Sequence, residues 1–372
     1  MSSIKKPKIA LVHDYIKEFG GAERVLEILS DIYPQADIFT TLYLPEFLGP
    51  HRSRLQKKWK NRLHTSFFQH TPFLPKLISP LRLLSPLAFK LFNFSKYDII
   101  ITSATGAYFP NSIRKKSAKH YCYCHTPPRY LYGLPTARNL KKYPLLNFLA
   151  QIINHFLRFF DFHWAQQIDQ FIANSQTVKK RIGKFYRRPA VIINPPIDLP
   201  KKNLINTNRQ DFYLSGGRLA RAKRYDIAIK ACNQLKLPLK IFGRDFASYA
   251  QELKNLAGPT IDFLGEVPQS KKAKLFSQAK AFIFSADQED FGMVVLEAMA
   301  YGCPVIAHKS GGAEETVIDG QTGVFFDQLN LNSCIKAIKK FQKLSIKPTD
   351  CYRQAQKFSQ SVFISKIKKL VN

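Results

Sequence analysis

Apolar runs of four to six residues alternate with segments of helical period along most of the chain, and this alternation sets the first expectation. In the first half the runs lie at 8–12, 38–42, 98–102, 120–124, 170–173 and 191–193. In the second half they lie at 212–215, 239–242, 261–264, 281–285, 303–307 and 323–326. Helical patterns fall between them, most clearly at 22–32, 176–185, 225–235 and 294–301. Strands that are apolar throughout, rather than at every second position, belong to parallel sheets covered on both faces. The pattern therefore predicts an α/β protein of two doubly wound domains with a cleft between them. Ligands of such sheets gather at the carboxyl ends of the strands.

The predicted first domain covers 1–196 and the second 209–349, with a final helical segment, 350–372, that packs back on the first. The boundary follows from Asn194-Pro-Pro-Ile-Asp-Leu-Pro200, where proline density breaks any regular element. Two stretches are less regular. Between Arg52 and Lys96, prolines 72, 75, 80 and 86 interrupt a series of Phe and Leu set among bases. Short helices with apolar residues on one side and Lys or Arg on the other suit an interfacial membrane contact. The segment from Pro144 to Trp164 has the period of an amphipathic helix and is read as core.

Charge sharpens this picture. The 372 residues hold 57 Lys and Arg against 26 Asp and Glu, a net charge of +31. Between Phe47 and Phe160 the only acid is Asp98, which makes the first domain a field for polyanions or an anionic membrane. No run reaches about 18 apolar residues, so no spanning helix is expected. The opening Ile9-Ala-Leu-Val12 is too short for the core of a signal peptide. Six scattered cysteines form no disulfide framework and suit a reducing compartment. Cys122-Tyr-Cys124-His125 has no companion cluster at zinc spacing, and no metal is expected.

Four groups of residues carry candidate chemistry. Gly20 and Gly21 open the first helix, where backbone can approach a ligand closely and N–H groups favour an anion. Arg218 and Lys223 stand on the turn after 212–215 as two fixed cations suited to phosphate oxygens. Glu289 precedes the Phe291-Gly292 turn, and Glu297 sits about a turn and a half into the helix that follows. Both carboxylates can accept bonds from sugar or ribose hydroxyls. A glycosidase acid/base pair is the other reading of two such acids, but it needs a set distance between them. His125 leaves a buried strand at its carboxyl end, as His13 and Asp14 leave the first.

Together, Gly20-Gly21-Ala-Glu-Arg, His125-Thr-Pro-Pro-Arg-Tyr, Asn174-Ser175, Gly217-Arg218-Leu with Lys223, Glu289-Asp-Phe-Gly with Glu297-Ala-Met, and Gly311-Gly312-Ala-Glu-Glu-Thr resemble the retaining glycosyltransferases of family 4. The resemblance covers nearly the whole chain and implies the GT-B fold. It implies that Arg218 and Lys223 hold the donor diphosphate, Glu289 meets the donor sugar, and Glu297 the ribose. Phe291 and Gly292 would line the donor site, His125 would lie near the anomeric carbon, and Gly20 and Gly21 would face the phosphates.

The His-Thr-Pro-x-Arg-Tyr form looks most like bacterial mannosyltransferases that use GDP-mannose and build lipid-linked glycans. The resemblance implies a metal-independent transfer with retention, no cofactor beyond the nucleotide-sugar substrate, and a lipid-linked or polysaccharide acceptor. The expected place is the inner face of the cell membrane, held peripherally from the cytoplasm. Arg224 stands where the family usually has glycine, which puts the loop's conformation and donor preference in question. Alternatives are a UDP-sugar donor or a nucleotide-sugar epimerase of the same fold. A basic nucleic-acid-binding protein would explain the charge, but none of the usual nucleic-acid modules is present, and nucleic acid is not an expected partner.

Overall fold

The computed structural model describes residues 7–136, 144–201, 205 and 208–372. Thirteen strands are present among the described residues: β1 (Ile9–His13), β2 (Asp37–Thr40), β3 (Leu63–Thr65), β4 (Ile99–Ala104), β5 (Lys119–Cys124), β6 (Gln170–Ala173), β7 (Ala190–Ile192), β8 (Tyr213–Gly216), β9 (Leu239–Phe242), β10 (Ile261–Gly265), β11 (Ala281–Phe284), β12 (Val305–His308) and β13 (Gly323–Phe326). The chain divides into two compact units, one of residues 1–134, 143–195 and 364–372, the other of 135–142 and 196–363.

In the first unit the strand order is β3-β2-β1-β4-β5-β6-β7, and every pairing is parallel. In the second it is β10-β9-β8-β11-β12-β13, again parallel throughout. Both orders reverse direction once, between β1 and β4 and between β8 and β11. Such a reversal leaves a crevice at the strands' carboxyl ends, because the flanking helices depart to opposite faces.

The twelve predicted strands all form, and β3 is the addition. Leu63-His64-Thr65 is a three-residue edge strand with no apolar run to announce it. The reason for unbroken apolar strands is visible in the second unit. Phe282 and Phe284 face one apolar cluster with Leu214 and Val305, while Ala281 and Ile283 face another with Tyr213 and Ile306. All six cysteines are free thiols and buried, Cys122 and Cys124 in the first unit and the other four in these layers of the second. Burial pushes Cys122 and Cys334 up to about 12 and Cys303 to about 11.

Two readings of the first unit are corrected. Segment 52–96 forms short helices at Arg52–Trp59, Leu74–Leu81 and Ser85–Lys90, and much of its apolar content is core. Phe68, Leu74, Phe89 and Phe94 are buried with β1 and β4, because this segment covers one face of the sheet. Phe73, Leu83, Leu84, Leu87 and Leu91 are left outside. The helix Pro144–Gln166, read as core, instead exposes most of its apolar surface. No described helix is long and apolar enough to cross a membrane. The segment 350–372 is two helices rather than one, its described neighbours being Pro348–Gln356 and Gln360–Val371, and the last residues belong to the first unit. There Tyr121 Oη donates to the Leu370 carbonyl at 3.4 Å.

Candidate functional site

The second unit gathers its candidate residues at the carboxyl ends of β8 and β11. After β8 the backbone turns at Gly217, whose φ of +128° suits glycine. A Cβ on Gly243 would stand 1.7 Å from the Gly217 carbonyl oxygen, so the neighbouring turn must also be bare. Arg218 then lies with its guanidinium 5.6 Å from the Phe246 ring centre. A single 3₁₀ turn, Arg221–Lys223, follows and aims Lys223 back over the strand ends.

Arg224 takes φ +50°, ψ +42°, the left-handed conformation that glycine would adopt. Its side chain pairs with Asp226 at 3.0 Å, and the Ser285 hydroxyl donates to its carbonyl at 2.7 Å. These two contacts hold an arginine in the backbone conformation the family pattern asks for.

Lys223 Nζ donates to Glu289 Oε2 at 2.5 Å. The two residues are 66 positions apart and both only partly exposed, so the fold itself makes this pair. Glu289 is held through its backbone: its carbonyl accepts from Gly312 N at 2.9 Å. Gly311, at φ +63°, and Gly312 pass so close that a Cβ on either would lie 2.2 Å from the 289–291 backbone. Gly292, at φ +82°, then starts the helix Met293–Ala300. Phe291 is 2% exposed and its ring lies tilted against that of Phe358, with centres 5.7 Å apart. Its side chain is therefore core, and only its backbone borders the site. Glu297 accepts from Lys272 Nζ at 2.9 Å. Lys272 was not anticipated, since it lies in an ordinary basic helix and nothing in the sequence ties it to Glu297.

The first unit places its candidates at the ends of β1, β4 and β5. His13 Nδ1 lies 3.1 Å from Ser103 Oγ, and Ser103 Oγ lies 2.9 Å from His125 Nε2. On the far side, His13 Nε2 faces Glu23 Oε1 at 3.6 Å. One serine hydroxyl thus stands between two imidazoles and can donate to only one.

Burial, then the nearby His13, hold the His125 ring down to about 3, although its edge reaches solvent. It is neutral at physiological pH. Burial works to raise Glu23, but hydrogen bonding to His13 and its charge outweigh this and leave the carboxyl below its usual value. Ser103 and Glu23 carried no assigned role in the sequence. A Glu two residues after a Gly-Gly turn resembles an ordinary helix N-terminal charge.

Gly20 and Gly21 do open the helix Gly21–Ile32. The Gly20 N–H, however, donates to Glu23 Oε2 at 2.8 Å, so that donor is satisfied from within the chain. Asp14 is also spent internally: its carboxylate accepts from the Thr105 hydroxyl at 2.7 Å and the Tyr108 N–H at 2.9 Å. This ties down the turn through Gly106, where a Cβ would lie 2.8 Å from the Thr126 carbonyl. Asn174 completes the support, donating to the His125 carbonyl at 2.9 Å. Among the described residues no three His, Cys, Asp or Glu side chains are gathered as a metal site requires.

Two family models tile the chain: Glycosyltransferase Family 4 matches residues 19–201, and Glycosyl transferases group 1 matches residues 198–358. The chain belongs to glycosyltransferase family 4. Among its relatives is the alpha-1,3/1,6-mannosyltransferase alg2 of Schizosaccharomyces pombe, 27% identical with 87% of this chain and 71% of that protein covered. The Kluyveromyces lactis ALG2 is also 27% identical, but the match takes in 61% of this chain and only 53% of that protein.

Solved structures share the GT-B fold. The Anabaena protein HepE, in complex with UDP and glucose, superposes with a TM-score of 0.70 at 19% identity, covering 98% of this chain and 99% of its own. The sucrose-phosphate synthase of Thermosynechococcus elongatus gives 0.71 at 16% identity, with 98% of each chain covered. This glycosyltransferase therefore has the predicted fold class, two parallel sheets with helices on their faces.

Proposed function

We propose that this glycosyltransferase transfers mannose from GDP-mannose, with retention at the anomeric carbon, to a lipid-linked or polysaccharide acceptor at the surface of a membrane. The observation that carries the reading is the Lys223–Glu289 pair at 2.5 Å, beside Arg218 at the strand-order reversal. Two cations on one turn can meet the charge that grows on a departing diphosphate, a stabilisation realised most fully in the transition state. When the diphosphate draws Lys223, Glu289 is released to accept from the sugar hydroxyls. Lys272 and Glu297 make the corresponding pair for the ribose.

Charge on the leaving group is met by side chains, so no metal enters the proposal. The departing phosphate oxygen takes the proton of the attacking hydroxyl on the same face, and no protein nucleophile is needed. His125, neutral and held by Ser103, acts as a hydrogen-bonding partner to the sugar rather than as a cation. The mannosyltransferases among the relatives support mannose as the sugar. The basic first unit supports a membrane-bound acceptor.

Melting the protein with GDP, UDP, ADP and their sugars tests this, with Glu297→Ala alongside. A ligand at a hundred times its Kd adds about 2.7 kcal/mol of stability. GDP-mannose is expected to raise the melting temperature of the native protein and to lose that effect in the variant. A shift with UDP-sugars alone would remove mannose from the proposal, and no shift with any nucleotide would end it.

A further inference from the structure

We infer that the helix Pro144–Gln166 is the element that seats this protein on an anionic lipid bilayer, with lipid phosphate received in the basic cavity at the helix's carboxyl end. The inference deepens the membrane part of the proposed function and does not depend on the identity of the donor.

The helix has three sectors at 100° per residue. One faces the protein: Leu157 and Trp164 join a small core with Phe109 and Leu131, and Asp161 accepts from Tyr132 and Tyr186, each at 2.9 Å. A polar strip of Gln151, His155 and Arg158 runs beside it. The third sector holds Phe148, Ile152, Ile153, Phe156, Phe159 and Phe160, all exposed, with Phe159 at 68%. So wide an apolar arc on a water-facing helix, bounded by polar residues, is what lies flat in a bilayer interface.

Its surroundings fit the same surface. Lys90 Nζ stands 5.7 Å from the Trp164 ring, so the helix Ser85–Lys90 adjoins the long helix and brings exposed Leu87 and Leu91 beside it. Between them opens a cavity of about 500 Å³, lined by Lys90, Arg114, Lys115, Lys116, His163 and Trp164, among others. Lys115 is engaged by Asp169 at 2.7 Å, while Arg114 and Lys116 are exposed. Cations around an indole, next to an apolar face, match a phosphate above acyl chains.

Charge decides the occupant. With Asp98 the only acid from Phe47 to Phe160, a second copy would bring like charge to like charge, whereas an anionic leaflet is complementary.

The experiment is flotation of the full chain with phosphatidylcholine vesicles with and without phosphatidylglycerol, at low and high salt. The native protein is expected to float only with phosphatidylglycerol and to be released in part by salt. Phe156→Ser with Phe159→Ser is expected to weaken binding at least tenfold. Arg114→Ser with Lys116→Ser should weaken it about 30-fold, from roughly 1 kcal/mol per basic residue near an anionic leaflet. Melting with the donor nucleotide, carried out on each variant, reports folding and the donor site separately. Loss of that shift in the native protein with vesicle binding intact would end the proposed function and leave this inference standing.

Absence of binding by the native protein, or variants that float as it does, would overturn the inference. So would a dimer, found without vesicles, that Phe156→Ser with Phe159→Ser separates, since the face would then belong to a second copy.

Discussion

Single residues set the chemistry through pairs made across long stretches of sequence. Lys223 ends one 3₁₀ turn and is steadied by Glu289, so its ammonium is held in place without any ligand. Lys223→Ala is expected to lower kcat by about 10²–10³-fold, the usual cost of removing one preorganised donor from developing negative charge. Steady-state kinetics with GDP-mannose measure it. Ser103 holds two imidazoles at once, at 3.1 Å and 2.9 Å. Ser103→Ala leaves a buried ring nitrogen without its partner, a cost of about 1–3 kcal/mol read by urea denaturation. Because the His125 ring would also lose its fixed orientation, kcat should fall while the KM for donor stays near its native value.

Elements decide what these residues can reach. The loop 289–292 is clamped by Gly311 and Gly312, each within 2.2 Å of it at the position a Cβ would take. Gly312→Ala should push that loop away from Lys223, abolish nucleotide-induced stabilisation and lower the melting temperature. A native-like shift with GDP in this variant would refute the clamp. The long helix is fastened at Asp161, whose carboxyl burial pushes up to about 7. The unfolded chain gives up that proton near 3.8 and the folded chain only near 7, so this group's contribution to stability falls as pH rises through that window. Asp161→Asn should flatten the decline between pH 5 and about 7 and melt higher than the native protein at pH 8. Melting curves across that range show the sign.

Elements were also where the sequence was most and least informative. Buried strands such as Ala281–Phe284 are written as unbroken apolar runs, and both sheets follow from them. The candidates Arg218, Lys223 and Glu289 could be grouped in advance because the strand pattern puts their turns after β8 and β11, which the fold sets side by side. Glu23, Ser103 and Lys272 could not, because each matters only through a partner 10, 22 or 25 residues away. The helix Pro144–Gln166 was misread for a physical reason. Periodicity shows that one side is apolar, and the same stripe serves a core or a bilayer.

At the scale of the whole molecule, chemistry and charge are kept in different places. The candidate cations and acids for the donor lie in the second unit, while the acid-poor stretch from 47 to 160 lies in the first. Added GDP should therefore slow amide hydrogen exchange chiefly at 217–224 and 289–297, as followed by mass spectrometry. Added anionic vesicles should slow it in the helix Pro144–Gln166 instead. The reverse assignment would contradict both placements.

The depth of the cysteines gives this enzyme an internal clock. Every one of its six thiols is shielded, and those in the core are held far from their reactive thiolate form. A maleimide reagent should then modify the native protein only as fast as it opens, so the rate of labelling counts unfolding events one molecule at a time. Against that silent background, a cysteine substituted for Phe156 would carry a fluorophore to one chosen point.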